Sequence, residues 1–252
     1  MIPRRITEHL KAQNWFAVAI DFVIVVAGIL IAFQITEWND ARRDRSRERA
    51  YLARIAAELG ESIVSIETGL RLTKLRMEYG AFLMRAIDDP ALVRAEPGRF
   101  VAAVVQGGYT FSPSVRGHTF EEIKSAGDLD ILRDKRLLFD LTEFYTTIEE
   151  TEQWNYVREL FQTEYVKRSA GILTYDEIVG ASQSRTIPEI APDDAMAAYA
   201  RMLERRDFLE WLPGVTAERG DAILDYSNWL QMAEDLRSRI RTDLGIAEDP
   251  EP

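Results

Sequence analysis

The sequence predicts an all-α protein: a single N-terminal transmembrane helix that continues into a long helix, followed by an antiparallel helical bundle. Three observations predict it. Residues 15–38 form an apolar run bracketed by tryptophans, apolar residues recur at three- and four-residue steps through most of the remaining chain, and no stretch alternates convincingly at a period of two.

The apolar run carries no charge from Phe22 to Thr36, and thirteen side chains between Phe16 and Ile35 are Phe, Leu, Ile or Val. As a helix, residues 15–38 would be roughly 34 Å long, enough for a hydrocarbon core of about 30 Å. The gain from those side chains outweighs the single Asp21 at about +3 kcal/mol on an insertion scale. Trp15 and Trp38 suit the two headgroup levels, and Arg42 and Arg43 follow where arginines reach lipid phosphates. These four residues are the expected membrane-interface anchors. No small-residue cleavage site follows the run, so it is expected to remain as an anchor.

Within the span, Asp21, Val25, Gly28, Ala32, Ile35 and Asn39 fall within about 40° of one line on a helix advancing 100° per residue. That stripe holds the only deep acid, the only glycine and a small alanine. Gly28 and Ala32 let a neighbouring backbone approach closely, and Asp21 would face that neighbour rather than lipid. The stripe is the expected interface with a second copy of the chain or another membrane protein. The competing reading has Asp21 near the membrane surface, snorkelling to water.

Residues 1–14 read as a short basic tail and 39–246 as the helical soluble domain. Residues 247–252 read as a disordered acidic tail. After Trp38 a mixed-sign run without a breaker leads into Leu52, Ile55, Leu59, Ile63, Ile66 and Leu70, an amphipathic helix that reaches Asp88 and ends before Pro90. Gly60, Gly69 and Gly80 weaken this helix by about 1 kcal/mol each. Pro97 opens a short helix closed by Gly107-Gly108, and 109–118 reads as loop. Thr119-Phe-Glu-Glu122 is a capping-box pattern for a short helix ending at Gly127. Asp128 or Asp134 caps a long helix to about Ser169, with Leu137, Leu141, Phe144, Ile148, Tyr156, Leu160 and Tyr165 on its apolar face. Residues 174–192 read as a connector. Asp193 or Asp194 then caps a helix through Leu212, Pro213-Gly214 is a turn, and Ile223 to Leu244 form a final helix. Trp154, Trp211 and Trp229 are expected core or groove aromatics.

Two segments carry a resemblance. Asp21-Phe-x-x-x-Val26-x-Gly28-Ile-x-Ile-x-x-Gln34-Ile-x-x-Trp38-Asn39-Asp40 precedes an Arg-rich helix with Tyr51-Leu52, and Thr119-Phe-Glu-Glu-Ile-Lys-Ser125-Ala-Gly127-x-x-x-Ile131-x-Arg133-Asp134-x-x-Leu137 leads to Phe144-Tyr145. Together they resemble a family of bacterial single-pass membrane proteins with an N-terminal anchor and a helical soluble domain of unassigned function. The resemblance implies a membrane-anchored, largely helical protein of a Gram-negative envelope and brings no catalytic residues. The tail departs from the family, which often carries more Lys and Arg there.

Charge and composition exclude several classes. Residues 1–54 hold nine basic and six acidic residues, and the remainder holds 22 basic and 36 acidic, a balance of −14. A domain that acidic repels a phosphate backbone, so nucleic acid is not an expected partner. There is no cysteine, which removes disulfides, thiolate metal sites and thiol nucleophiles. Only His9 and His118 exist, so no multi-histidine metal site is expected. Glu149-Glu150, Asp193-Asp194 and the Asp128/Asp130 pair read as solvated faces and caps, and no nucleophile-elbow, zinc or phosphate-loop motif is present.

No enzyme and no cofactor are therefore expected. The expected function is a non-enzymatic interaction or scaffold protein in the bacterial inner membrane. Its expected partners are the lipid bilayer and either another copy or a second membrane protein. The alternative is a sensor whose bundle binds a ligand and signals through the span. Three basic residues (Arg4, Arg5, Lys11) precede the span and six (Arg42, Arg43, Arg45, Arg47, Arg49, Arg54) follow it, which favours a cytoplasmic domain. The charged amino terminus and the more basic tails of the resembling family tip the expectation slightly to a periplasmic one.

Overall fold

The computed structural model describes residues 15–183 and 187–246. The basic tail with Arg4, Arg5, His9 and Lys11, the acidic tail 247–252 and the side chain of Trp15 lie outside the described residues. Every regular element among the described residues is helical and none is a strand, so the all-α expectation holds. The chain forms two compact units, 1–51 and 52–252. The first helix, α1, is assigned from Trp15 to Asp88 without interruption.

In the second unit α1 ends at Asp88, where Asp89 and Pro90 start a separate short helix, α2 (Ala91–Ala95). The proline ring cannot continue an i−4 ladder, but it suits the entry of a new helix. Pro97 opens α3 (Pro97–Gln106) as expected, and Gly107 caps it. After an extended segment come α4 (His118–Ala126), closed by left-handed Gly127 at φ 74°, and a 3₁₀ turn (Leu129–Ile131). Then α5 (Lys135–Ser169) starts at Asp134, whose carboxylate accepts the amides of Arg136 and Leu137 at 2.9 and 3.0 Å. Short helices α6 (Tyr175–Gln183) and α7 (Pro192–Leu203) precede the long α8 (Arg206–Leu244).

The long helices of this unit pack antiparallel. Along α5 and α8, Asp140 pairs with Arg239, Arg158 with Asp225, Phe161 stacks on Trp211 and Tyr165 meets Phe208, so one number rises as the other falls. The 52–88 part of α1 runs antiparallel to α8, with Gly60 against Arg237 and Gly80 against Thr216. A Cβ at Gly80 would collide with the Thr216 hydroxyl, which already donates to the Leu212 carbonyl at 2.7 Å. The glycines that lower the helix propensity of α1 are thus where its neighbours come closest. At the far end, Phe82, Phe100, Tyr165, Met202 and Phe208 join one core fed by α1, α3, α5, α7 and α8.

The segment 109–117 is a strap laid across these helices. From Phe111 to Gly117 the odd residues are half-buried and the even ones exposed, the alternation of a strand that has no sheet. Its amides and carbonyls go to helix side chains instead. The amides of Ser114 and Arg116 donate to Ser65 and Ser62 of α1, each at 2.9 Å. The amide of Thr110 donates to Gln162 of α5 at 2.7 Å, and the Phe111 carbonyl accepts from Tyr226 of α8 at 2.8 Å. Ser62 is fully buried and also donates back to the Glu58 carbonyl at 2.8 Å, so its hydroxyl is satisfied in both directions.

Several sequence expectations are corrected. Pro213 lies inside α8 rather than in a turn, because Phe208, Leu212 and Val215 on both sides of it are buried in the same core. That burial outweighs the one backbone hydrogen bond the proline forfeits. The expected connector 174–192 contains α6, whose Glu177 bonds Arg201 of α7 at 2.9 Å. Thr119 is not a cap. It lies inside α4, and its amide and hydroxyl both donate to Glu58 of α1. Neither Asp193 nor Asp194 caps α7, which begins at Pro192 with Ala191 before it. Asp128 makes no side-chain cap either. On α5, Tyr156 and Leu160 are exposed, and the inward face continues from Ile148 through Thr151, Asn155, Arg158 and Gln162 to Tyr165. Of the three tryptophans Trp229 is buried, Trp211 is half-buried and Trp154 is exposed at the rim of a groove.

Candidate functional site

In the first unit, every Val, Leu, Ile and Phe from Val18 to Ile35 is exposed, and an 18-residue window of mean hydropathy 2.6 has none of its residues buried inside the protein. Among the described residues this is the one helix long and apolar enough to cross a membrane. Leaving a side chain of that size in water forgoes about 1.5–3 kcal/mol of burial. A helix apolar all round is stable only in an apolar surrounding.

Asp21, Val25, Gly28, Ala32, Ile35 and Asn39 all lie exposed on this helix, and nothing comes within 4 Å of where a Gly28 side chain would start. Thr36 returns its hydroxyl to the Ala32 carbonyl at 3.0 Å, which keeps the only hydroxyl of the apolar stretch satisfied within the helix. Past it, the Arg42 guanidinium sits 6.0 Å over the ring of Trp38, and Arg43 lies 3.8 Å from Asp40. Two of the three expected anchors of this end, Trp38 and Arg42, thus stand together, with the ring's apolar body on one side and a cation on the other, while the third, Arg43, turns to Asp40.

The second unit holds a charged cluster that the apolar periodicity does not announce. Arg158 of α5 and Arg219 of α8 are 5% and 2% exposed. Arg158 forks onto Glu218 at 3.1 Å and Asp225 at 2.7 Å and lies 5.6 Å from the Tyr226 ring. Arg219 pairs with Glu218 at 2.8 Å and donates to the Gly108 carbonyl at 2.9 Å, just before the strap. Burial works against the charge of Arg158, but Tyr226, Asp225 and Glu218 outweigh it and raise its pKa. For Arg219 burial wins and the pKa is lowered. Arg76 of α1 completes the cluster, its pKa lowered first by burial and then by Arg219. Within this cluster, Nε and Nη1 of Arg76 and Nε of Arg219 meet no protein acceptor among the described residues.

Beside the cluster a groove of about 680 Å³ runs between α5 and α8, lined by Trp154, Val157, Arg158, Phe161, Glu218 and Asp225 among others. No three His, Asp or Glu side chains are grouped to hold a metal ion among the described residues. His118, the first residue of α4, is exposed.

The signal for the cluster was present in the spacing. Arg158 continues the Leu137–Leu141–Phe144–Ile148 stripe of α5, and Arg219 sits between Val215 and Ala222 on the buried face of α8. A cation at a core position of an amphipathic helix is the readable mark of a buried ion network. No protein-family model matches the chain, and no curated protein or solved structure is significantly similar to it.

Arg158→Met is expected to cost about 3 kcal/mol, the low end for a broken buried pair, because Arg219 still holds Glu218. Arg158→Lys restores the charge without the fork and should recover less than half of the loss. Urea unfolding of the full chain in mild detergent, comparing the three proteins, measures both.

Proposed function

We propose that this protein is a membrane-anchored, non-enzymatic interaction protein of the bacterial inner membrane, with the apolar part of α1 as a single-pass span. The observation that carries this reading is the unburied window of mean hydropathy 2.6, which needs lipid or another helix around it. The Trp38–Arg42 pair at its end supports the placement of that end at a headgroup level. On the span, the Asp21–Gly28–Ala32 face is the contact surface for a second copy or a partner membrane protein. The open space beside Gly28 supports a close backbone approach there. The resemblance of the span's motif to bacterial single-pass proteins points the same way. The helical unit is assigned to the periplasmic side.

A second reading is a ligand-binding regulator that signals through the span. It is supported by the groove of about 680 Å³ between α5 and α8, where Arg158 stands among Trp154, Phe161 and Asp225.

Gly28→Ile is expected to reduce crosslinked oligomers in membranes severalfold by pushing backbones apart, while Leu30→Ile on the opposite face leaves them unchanged. An identical oligomer distribution for both variants would remove the stripe as an interface. The side of the membrane is tested separately. The chain has no cysteine and Val64 is 62% exposed, so Val64→Cys offers a single labelling point. A membrane-impermeant maleimide is expected to label it in intact spheroplasts, and labelling only after lysis places the unit in the cytoplasm.

A further inference from the structure

The groove of about 680 Å³ between α5 and α8 has two unlike walls. Trp154, Val157 and Phe161 of α5 recur at three- and four-residue steps and make one wall apolar. Glu218, Asp221 and Asp225 of α8 recur in the same way and make the other acidic. Gly214 and Ala217, small residues of α8, leave the space between the walls open, and nothing comes within 4 Å of where a Gly214 side chain would start. A groove of that size falls within the roughly 300–1,000 Å³ of small-molecule sites.

Most of the charge in the groove cancels. Arg158 is 5% exposed and its guanidinium is spent on Glu218 and Asp225, while Arg219 takes the other oxygen of Glu218. Two arginines thus face two carboxylates. Asp221 is the surplus: it is exposed, one turn from Glu218 and from Asp225, and meets no cation among the described residues. Arg168, farther along α5, is committed elsewhere, over the Trp211 ring at 4.4 Å and to Glu164 at 3.2 Å. On the apolar wall Trp154 keeps 53% of its surface exposed, whereas Trp229 is buried and Trp211 stacks on Phe161. An exposed indole face and an unneutralised carboxylate in a groove both attract cations. The wider field has the same sign, since residues 55–252 hold 36 acidic and 22 basic residues.

We propose that this groove binds a small organic cation, an ammonium carried on an apolar body. The body lies against Trp154, Val157 and Phe161, and the charge lies at Asp221. An anion is repelled by the same acids, and a neutral apolar ligand leaves Asp221 unmatched. The inference rests on the regulator reading above for its purpose and on the second unit alone for its geometry.

The test is isothermal titration calorimetry of the full chain in non-ionic detergent at neutral pH and constant ionic strength. The cationic probe is 2-phenylethylamine, and 2-phenylethanol is its neutral counterpart of similar size. The amine is expected to bind saturably, about fivefold or more tighter than the alcohol, the combined worth of an exposed ion pair and a cation over an indole. Trp154→Ala and Asp221→Asn are each expected to weaken amine binding about threefold or more. Both side chains are exposed, so the unfolding midpoints of the variants should stay at the wild-type value. The proposal is overturned if the amine does not bind the wild type, if the alcohol binds as well as the amine, or if either variant binds the amine as the wild type does. A change in oligomer distribution caused by Trp154→Ala without amine also overturns it, because the groove is then filled by a second copy. Saturable amine binding that leaves the crosslinked oligomers of the span unchanged supports the site and removes only signalling through the span.

Discussion

An extended backbone laid among helices cannot hydrogen-bond to itself, and the helical unit is built around that constraint. The strap 109–117 has no neighbouring strand, so each buried amide or carbonyl must find a side chain or remain a cost. Ser62, Ser65, Gln162, Tyr226 and, on the residue just before it, Arg219 supply those partners from α1, α5 and α8. Inward-facing polar residues of three helices thus serve the strap, while Thr73, Thr216 and Arg158 find their partners within or between the helices. Gly69 follows from the same cause, since a larger residue would strike Pro113 and Phe111.

The same demand explains why the interior changes character along its length. Where helices meet only helices, around Phe82, Phe100 and Phe208, the core is apolar. Near the strap it turns to serine, glutamine, tyrosine and arginine. Arg219 links the two regimes, reaching the Gly108 carbonyl at the mouth of the strap while pairing with Glu218, which in turn holds Arg158. A buried arginine is tolerated here because carbonyl and carboxylate acceptors converge on it. Arg76 lacks that support, which makes it the unusual member of the cluster.

Most helices were legible because amphipathic spacing is a local property. The stop before Pro90, the start at Pro97, the Asp134 cap and the left-handed Gly127 were all readable from chain-local chemistry. The features that misled depended on neighbours distant in sequence. Pro213 reads as a breaker until the burial of Phe208 and Val215 is known, and Thr119 reads as a cap until Glu58 is placed beside it. Tyr156 and Leu160 look like core residues only if the stripe of α5 is required to stay apolar. Allowing Arg158 into it gives the observed register. The apolar helix was the most legible feature, since composition over 24 residues decides it. The stripe on that helix rests on angular spacing, and a lone chain presents it without a partner.

The claim that the strap is bound as tightly as the helices is tested most directly by native-state amide hydrogen exchange on the full chain in mild detergent. The amides of Ser114, Arg116 and Thr110 are expected to exchange only with opening free energies close to those of the inward-facing amides of α1 and α5. Exchange at the rate of an unstructured loop, while those helices stay protected, would contradict it.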